Sequence, residues 1–148
     1  MRIVVDSNIV FSAILNTNGK ISRILLHPKS RLNLYSTRHL LEEIYEHFEK
    51  LKSISGYSEK ELSRIISLVT GRIRFIDPRL IPLPVFLNAE NLTRDIDIDD
   101  TEFVALTDHA KAKLWSGDKK LIMGLRKKNW KKAITTDELS LLLFRKSK

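Results

Sequence analysis

The chain has 148 residues, 43% hydrophobic and 30% charged, with 26 Lys+Arg against 18 Asp+Glu and a formal net charge of +8. This excludes a disordered polypeptide and gives enough length for one domain with a real core. The absence of cysteine excludes disulfides and thiolate metal sites, and no apolar run approaches the ~20 residues that span a bilayer. The basic excess favours a polyanionic partner, and the default expectations are a cytoplasmic location and no membrane contact.

Residues 2–6 (RIVVD) form a short β-branched run, too short for a helix and typical of a strand covered on both faces. The apolar residues 8–15 follow, and Asn16, Asn18 and Gly19 stop them. Residues 20–28 have a helical pattern that Pro28 closes, and 32–36 alternate like a second strand. Thr37 then caps a helix over 38–52 that puts Leu40, Leu41, Ile44, Phe48 and Leu51 on one face. Ser58 and Glu61 form a capping-box pair opening the next helix, in which Leu62, Ile65, Ile66 and Val69 face inward. Residues 73–76 make a third strand, and the proline-rich stretch 77–84 is expected to be irregular. A helical turn at 86–92 precedes the segment DIDIDD at 95–100. Next come an amphipathic helix at 101–112, a strand at 113–116, a basic helix at 119–128 and a strand at 132–135. Thr136 or Asp137 is expected to cap a last helix over 138–144. Five short strands alternating with helices predict an α/β fold with a mainly parallel sheet, whose ligands sit beyond the carboxyl ends of the strands.

Four acids meet that edge on this reading. Asp6 ends the first strand, Asp118 follows the fourth, Asp100 starts the helix leading into it, and Glu43 lies in the first turns after the second. Converging carboxylates repel unless some are protonated or a cation joins them, and Mg²⁺ or Mn²⁺ favours such oxygen ligands. Each acid also has a plainer reading. Asp6 and Asp118 could cap helices, Glu43 could belong to a solvated face with Glu42, Glu46 and Glu49, and Asp99 could be an N-cap with Glu102, leaving Asp100 as a favourable charge nearby.

Residues 4–15 (VVDSNIVFSAIL), 40–51 (LLEEIYEHFEKL), 99–110 (DDTEFVALTDHA) and 114–122 (LWSGDKKLI), in this order, resemble a PIN domain. This small α/β nuclease fold is common among toxins of type II toxin–antitoxin pairs. The resemblance implies a single-domain α/β/α sandwich over residues 1–148, with a five-stranded parallel sheet in the order 3-2-1-4-5. It also implies a Mg²⁺- or Mn²⁺-dependent endoribonuclease in which a metal-activated water cuts RNA, with a toxin role and an antitoxin partner as the expected setting. The family's catalytic and metal-holding acids map onto Asp6, Glu43, Asp100 and Asp118, with Ser7, Asn8 and Ser116 as supporting residues. Asp99 is expected to cap the helix or to act as an outer acid, and Asp95 and Asp97 read as solvated loop residues. Many members carry a further acid two residues after the last aspartate, where this chain has Lys120, so one ion is expected.

Lys119, Lys120, Arg126, Lys127, Lys128 and Trp130 are candidate nucleic-acid contacts, since cations neutralise phosphates and an indole stacks on bases. The alternative is a solvated helix end with Trp130 packed under the last helix. His27, His39, His47 and His109 lack ligand spacing and read as surface or helix-face residues, with an approach of His39 or His109 to the site as the lesser alternative. The stripe Ile44, Phe48, Leu51, Leu62, Ile66 and Val69 is core or a homodimer or antitoxin interface. Two rival readings are a catalytically silent nucleic-acid-binding module and a phosphotransfer domain with Asp77 as acceptor.

Overall fold

The computed structural model describes residues 1–27 and 31–144. The expected helix stop at Pro28 and the basic 145–148 lie outside the described residues. Strands β1 (Arg2–Val5), β2 (Asn33–Ser36), β3 (Ile73–Phe75), β4 (Lys113–Trp115) and β5 (Ala133–Ile134) form one parallel sheet in the order β3-β2-β1-β4-β5. Ile3, Val4 and Val5 of the central strand are fully buried, as a strand covered on both faces requires. The strand order reverses at β1, which opens a crevice at the carboxyl ends of β1 and β4.

Helices α1 (Ser7–Leu15), α2 (Lys20–Leu25), α3 (Arg38–Glu46), α4 (Phe48–Ser55) and α5 (Glu59–Thr70) accompany β1–β3. The Ser58–Glu61 capping box forms as predicted. The helix expected over 38–52 instead breaks between α3 and α4 at His47, which has φ −102° and ψ 15°. There the imidazole Nδ1 lies 2.9 Å from the Glu43 carbonyl and the ring packs on Phe11, while the His47 amide still donates to that same carbonyl at 3.1 Å. Thr37 occupies the N-cap position of α3, but its hydroxyl makes no capping bond. Ile44, Leu51, Leu62, Ile66 and Val69 are buried and Phe48 is packed against them, so this stripe is core rather than an interface.

The remaining helices are α6 (Leu83–Thr93), α7 (Thr101–Ala110), α8 (Lys119–Lys127) and α9 (Thr136–Phe144). The proline-rich stretch is more regular than expected: Pro78–Leu80 form a 3₁₀ turn and α6 begins at Leu83. Pro84 stands in the first turn of α6, where a missing N–H forfeits no helical bond. The cap of α9 is Thr135, not Thr136 or Asp137. Its Oγ1 accepts from the Glu138 amide at 3.1 Å, and Glu138 Oε1 accepts from the Thr135 amide at 2.9 Å. Among the described residues no helix is long and apolar enough to cross a membrane.

Candidate active site

Asp6 leaves the end of β1 and turns the chain into α1, its Oδ1 accepting from the Ile9 amide at 3.1 Å. The residue is 1% exposed, and its other oxygen is buried and accepts no hydrogen bond of good geometry, although the Ser116 hydroxyl is near enough to favour the charged carboxylate. A buried, unpaired carboxylate oxygen is costly unless it is protonated or meets a cation. Asp118 follows β4 and caps α8, with Oδ1 accepting from the amides of Lys120 (3.0 Å) and Leu121 (3.2 Å). Ser116, fully buried, fixes that turn by accepting from the Asp118 amide at 3.1 Å. The capping readings of Asp6 and Asp118 are therefore correct, yet each cap uses only one oxygen.

Glu43 projects from α3 and accepts from the Ser7 hydroxyl at 3.0 Å. Its side chain is 21% exposed against 74% for Glu42, so the two neighbouring acids face different surroundings. His39, one helical turn earlier, places Nε2 2.9 Å from Glu43 Oε1, off the line of a hydrogen bond, with its ring tilted against Phe103. Of the two readings of His39, the lesser one holds: the i, i+4 spacing on the helix face brings it to Glu43.

Asp100 stands at the N-cap position of α7, but its carboxylate makes no capping bond. The expected cap, Asp99, does not serve either. Asp97 Oδ1 accepts from the Asp99 amide at 3.0 Å and caps a 3₁₀ turn over Ile98–Asp100. Asp99 is exposed, and its negative charge still reaches Glu43.

The acids are linked by their fields. Burial first, then Asp118 and Glu43, push Asp6 up to about 6, against the Ser116 hydroxyl and the Ile9 amide. Burial first, then Asp6, Asp97, Asp118 and Glu43, push Asp100 up to about 8. Glu43 is raised by burial and by Asp99, while Ser7, His39 and His47 oppose the rise. Among the described residues no three histidine or carboxylate side chains are grouped closely enough to enclose a metal ion. One or two carboxylates with waters are nevertheless enough for Mg²⁺. The orphaned Asp6 oxygen, an Asp100 carboxylate that caps nothing and a purely oxygen donor set fit a hard divalent cation.

A model of the PIN domain matches residues 4–143. The chain belongs to the PIN-domain family. No curated protein matches it closely. PIN domains are generally nucleases, and PIN nucleases typically use divalent metals. In this PIN domain the four acids reached through the family motifs share one sheet edge. Of the supporting residues, Ser7 bonds Glu43 and Ser116 bonds the Asp118 amide, whereas Asn8 is exposed and its side chain bonds none of the four.

The basic segment divides. Lys119 and Lys120 are exposed beside Asp118, and Lys127 is exposed at the far end of α8. Arg126 instead bonds Glu138 at 2.9 Å and the Ala133 carbonyl at 3.2 Å, tying α8 to β5 and α9. Lys128 bonds the Leu92 carbonyl at 2.9 Å and the Asp95 carboxylate, so Asp95 is not merely solvated. Trp130 is 7% exposed and donates to Asp108 at 3.1 Å, so its indole is packed into the fold and tied to α7 rather than open for stacking on a base. Asp77, the phosphotransfer candidate, is occupied by Arg79, whose guanidinium and amide both donate to it. A cleft of about 630 Å³ lined by Arg38, His39, Glu42, Phe75, Arg79 and Glu102 has Glu42 rather than Glu43 in its wall and includes none of the four acids. A cavity of about 690 Å³ along α2 and α9 includes none of the four acids.

Proposed function

We propose that this PIN domain is a metal-dependent endoribonuclease, with Asp6, Glu43, Asp100 and Asp118 holding Mg²⁺ or Mn²⁺. The observation that carries the reading is the Asp6 carboxylate oxygen, buried without a hydrogen bond of good geometry among acids that raise one another. A bound ion of this kind polarises a phosphoryl oxygen and makes a coordinated water a nucleophile near neutral pH. The protein's share is orientation. The Ile9 amide fixes Asp6, the amides of Lys120 and Leu121 fix Asp118, and Ser7 with His39 brackets Glu43. Burial and the neighbouring carboxylates favour the protonated form of Asp100, which would give up its proton on holding a divalent cation. Lys119 and Lys120 face the charge of a phosphodiester strand from the first turn of α8, and the net charge of +8 draws such a strand in.

The toxin role extends this reading: a small antitoxin encoded in an adjacent reading frame would bind and silence the nuclease. A homodimer would need a surface other than the core stripe of α3–α5. The deciding experiment is cleavage of end-labelled, mixed-sequence RNA by wild type and Asp6→Asn, with Mn²⁺, Mg²⁺ or EDTA. Asparagine can still cap α1 but removes the charge, so the variant should fold and lose at least about a hundredfold in rate. Metal-dependent cuts absent from the variant support the nuclease. Binding without cleavage by wild type would favour the silent nucleic-acid-binding module, which Lys120 at the further acid position also suits.

A further inference from the structure

Asp6 and Asp118 are delivered by strand ends and Glu43 by a helix turn, but Asp100 is reached through the irregular residues 94–97 and ends the 3₁₀ turn Ile98–Asp100. Its position therefore depends on what holds that loop. At the neck, Thr93 and Thr101 bring their hydroxyl oxygens to 2.6 Å, with Thr93 fully buried. Inside, the Thr93 carbonyl accepts from the amides of Ile96 and Asp97, both at 2.9 Å, and the Asp97 carbonyl accepts from the Asp100 amide at 3.1 Å. The outer side is held by Lys128, which bonds the Leu92 carbonyl and the Asp95 carboxylate.

The loop also leans on α8 itself. A Cβ at Gly124 would lie 2.6 Å from Cδ1 and 3.0 Å from Cγ1 of Ile96, so no other side chain fits without moving that isoleucine. Glycine inside a helix is unfavourable relative to alanine, and close packing is the reason for it here. The same helix carries Asp118 at its N-cap. A shift of the loop against α8 is thus a shift of Asp100 against Asp118.

We propose that α8 latches the acidic loop, with Gly124 and Lys128 as positioning residues that hold Asp100 in register with Asp6 and Asp118. The proposal rests on the reading of Asp100 as a metal ligand. It also accounts for the first three residues of DIDIDD: Ile96 fills the Gly124 notch while Asp95 bonds Lys128 and Asp97 caps the 3₁₀ turn.

The test compares wild type, Gly124→Ala, Gly124→Ala/Ile96→Val and Lys128→Met in the full chain. The readouts are Mn²⁺ titration calorimetry, kcat and KM on RNA, and amide exchange of Asp97, Asp99 and Asp100 without metal. Gly124→Ala is expected to weaken Mn²⁺ binding about 10–100-fold, lower kcat with KM unchanged, and speed exchange of the loop amides. Ile96→Val, which removes the methyl carbon nearest the new Cβ, should return most of the lost affinity. Wild-type affinity and exchange in Gly124→Ala, or a loss that Ile96→Val does not restore, overturns the latch. Should Gly124→Ala fail to fold, Lys128→Met decides: faster loop exchange supports the latch and unchanged exchange overturns it. If wild type binds no Mn²⁺, the metal reading fails while the exchange results still decide the latch.

Discussion

Asp6, Glu43 and Asp100 are shifted up, whereas Asp77, Asp95, Asp137 and Glu138 are shifted down by basic side chains or amides that bond them. The sign has a thermodynamic consequence. A carboxyl whose folded pKa exceeds its unfolded value favours the fold when protonated, so its stabilisation is complete below about 4 and is lost as pH rises through the folded pKa. For this chain the loss occurs through about 6 for Asp6 and about 8 for Asp100. In EDTA the melting temperature should fall as pH rises across that window, and Mn²⁺ should restore more at the alkaline end than at the acidic end. Asp100→Asn should remove the upper part of the decline. Thermal melts against pH check this, and a variant that declines like wild type refutes it. Two of the acids were legible as strand-end residues, because a β-branched run ends visibly at Asp6 and a short apolar pair, Leu114 and Trp115, ends just before Ser116-Gly117-Asp118. Glu43 was separable from Glu42 only by resemblance, since the Ser7 hydroxyl that distinguishes them lies 36 positions away.

At the scale of elements, most errors came from side chains acting at helix ends. The Ser58–Glu61 box was readable because both partners sit within one turn. The Thr135–Glu138 box has the same spacing, but Thr136 and Asp137 offered competing caps and the short strand β5 ends just before it. Thr136 is taken by the Trp115 indole, which donates to its hydroxyl at 3.0 Å, and Asp137 pairs with Lys20 at the surface. Thr135→Ala should therefore cost about 1 kcal/mol, within the usual range for a lost N-cap. Asp137→Ala should cost less, because exposed ion pairs contribute little. Urea denaturation of the two variants tests the assignment, and a larger loss from Asp137→Ala would reverse it.

Over the whole molecule the charge of +8 says less than its partition. Arg126 and Lys128 are bound into ion pairs that join α8 to α9 and to the acidic loop, while Lys119 and Lys120 remain exposed beside Asp118. Single-stranded RNA binding by Asp6→Asn should depend steeply on salt. Removing Lys119 and Lys120 should reduce the slope of log K against log salt by about 0.7 for each phosphate that is no longer neutralised. Arg126→Ala should lower stability and leave that slope unchanged. Filter binding across a salt series separates the two groups, and an Arg126→Ala slope reduced as much as the lysine variant's would place Arg126 on the RNA.

The sequence by itself determined the alternation of strands and helices, the capping box at Ser58 and the placement of Asp6 and Asp118 after the first and fourth strands. Hydrophobic period and strand ends are local properties, and topology rules carry them to a shared face. Only the tertiary structure decided that one Asp6 oxygen is buried without a hydrogen bond of good geometry, that Asp100 caps nothing, and that Trp130 and Lys128 serve the fold. Desolvation and pairing depend on groups far apart in the chain, such as Trp130 with Asp108 and Lys128 with Asp95, separated by 22 and 33 positions. No periodicity records such distances, because they are set by how the packed elements meet.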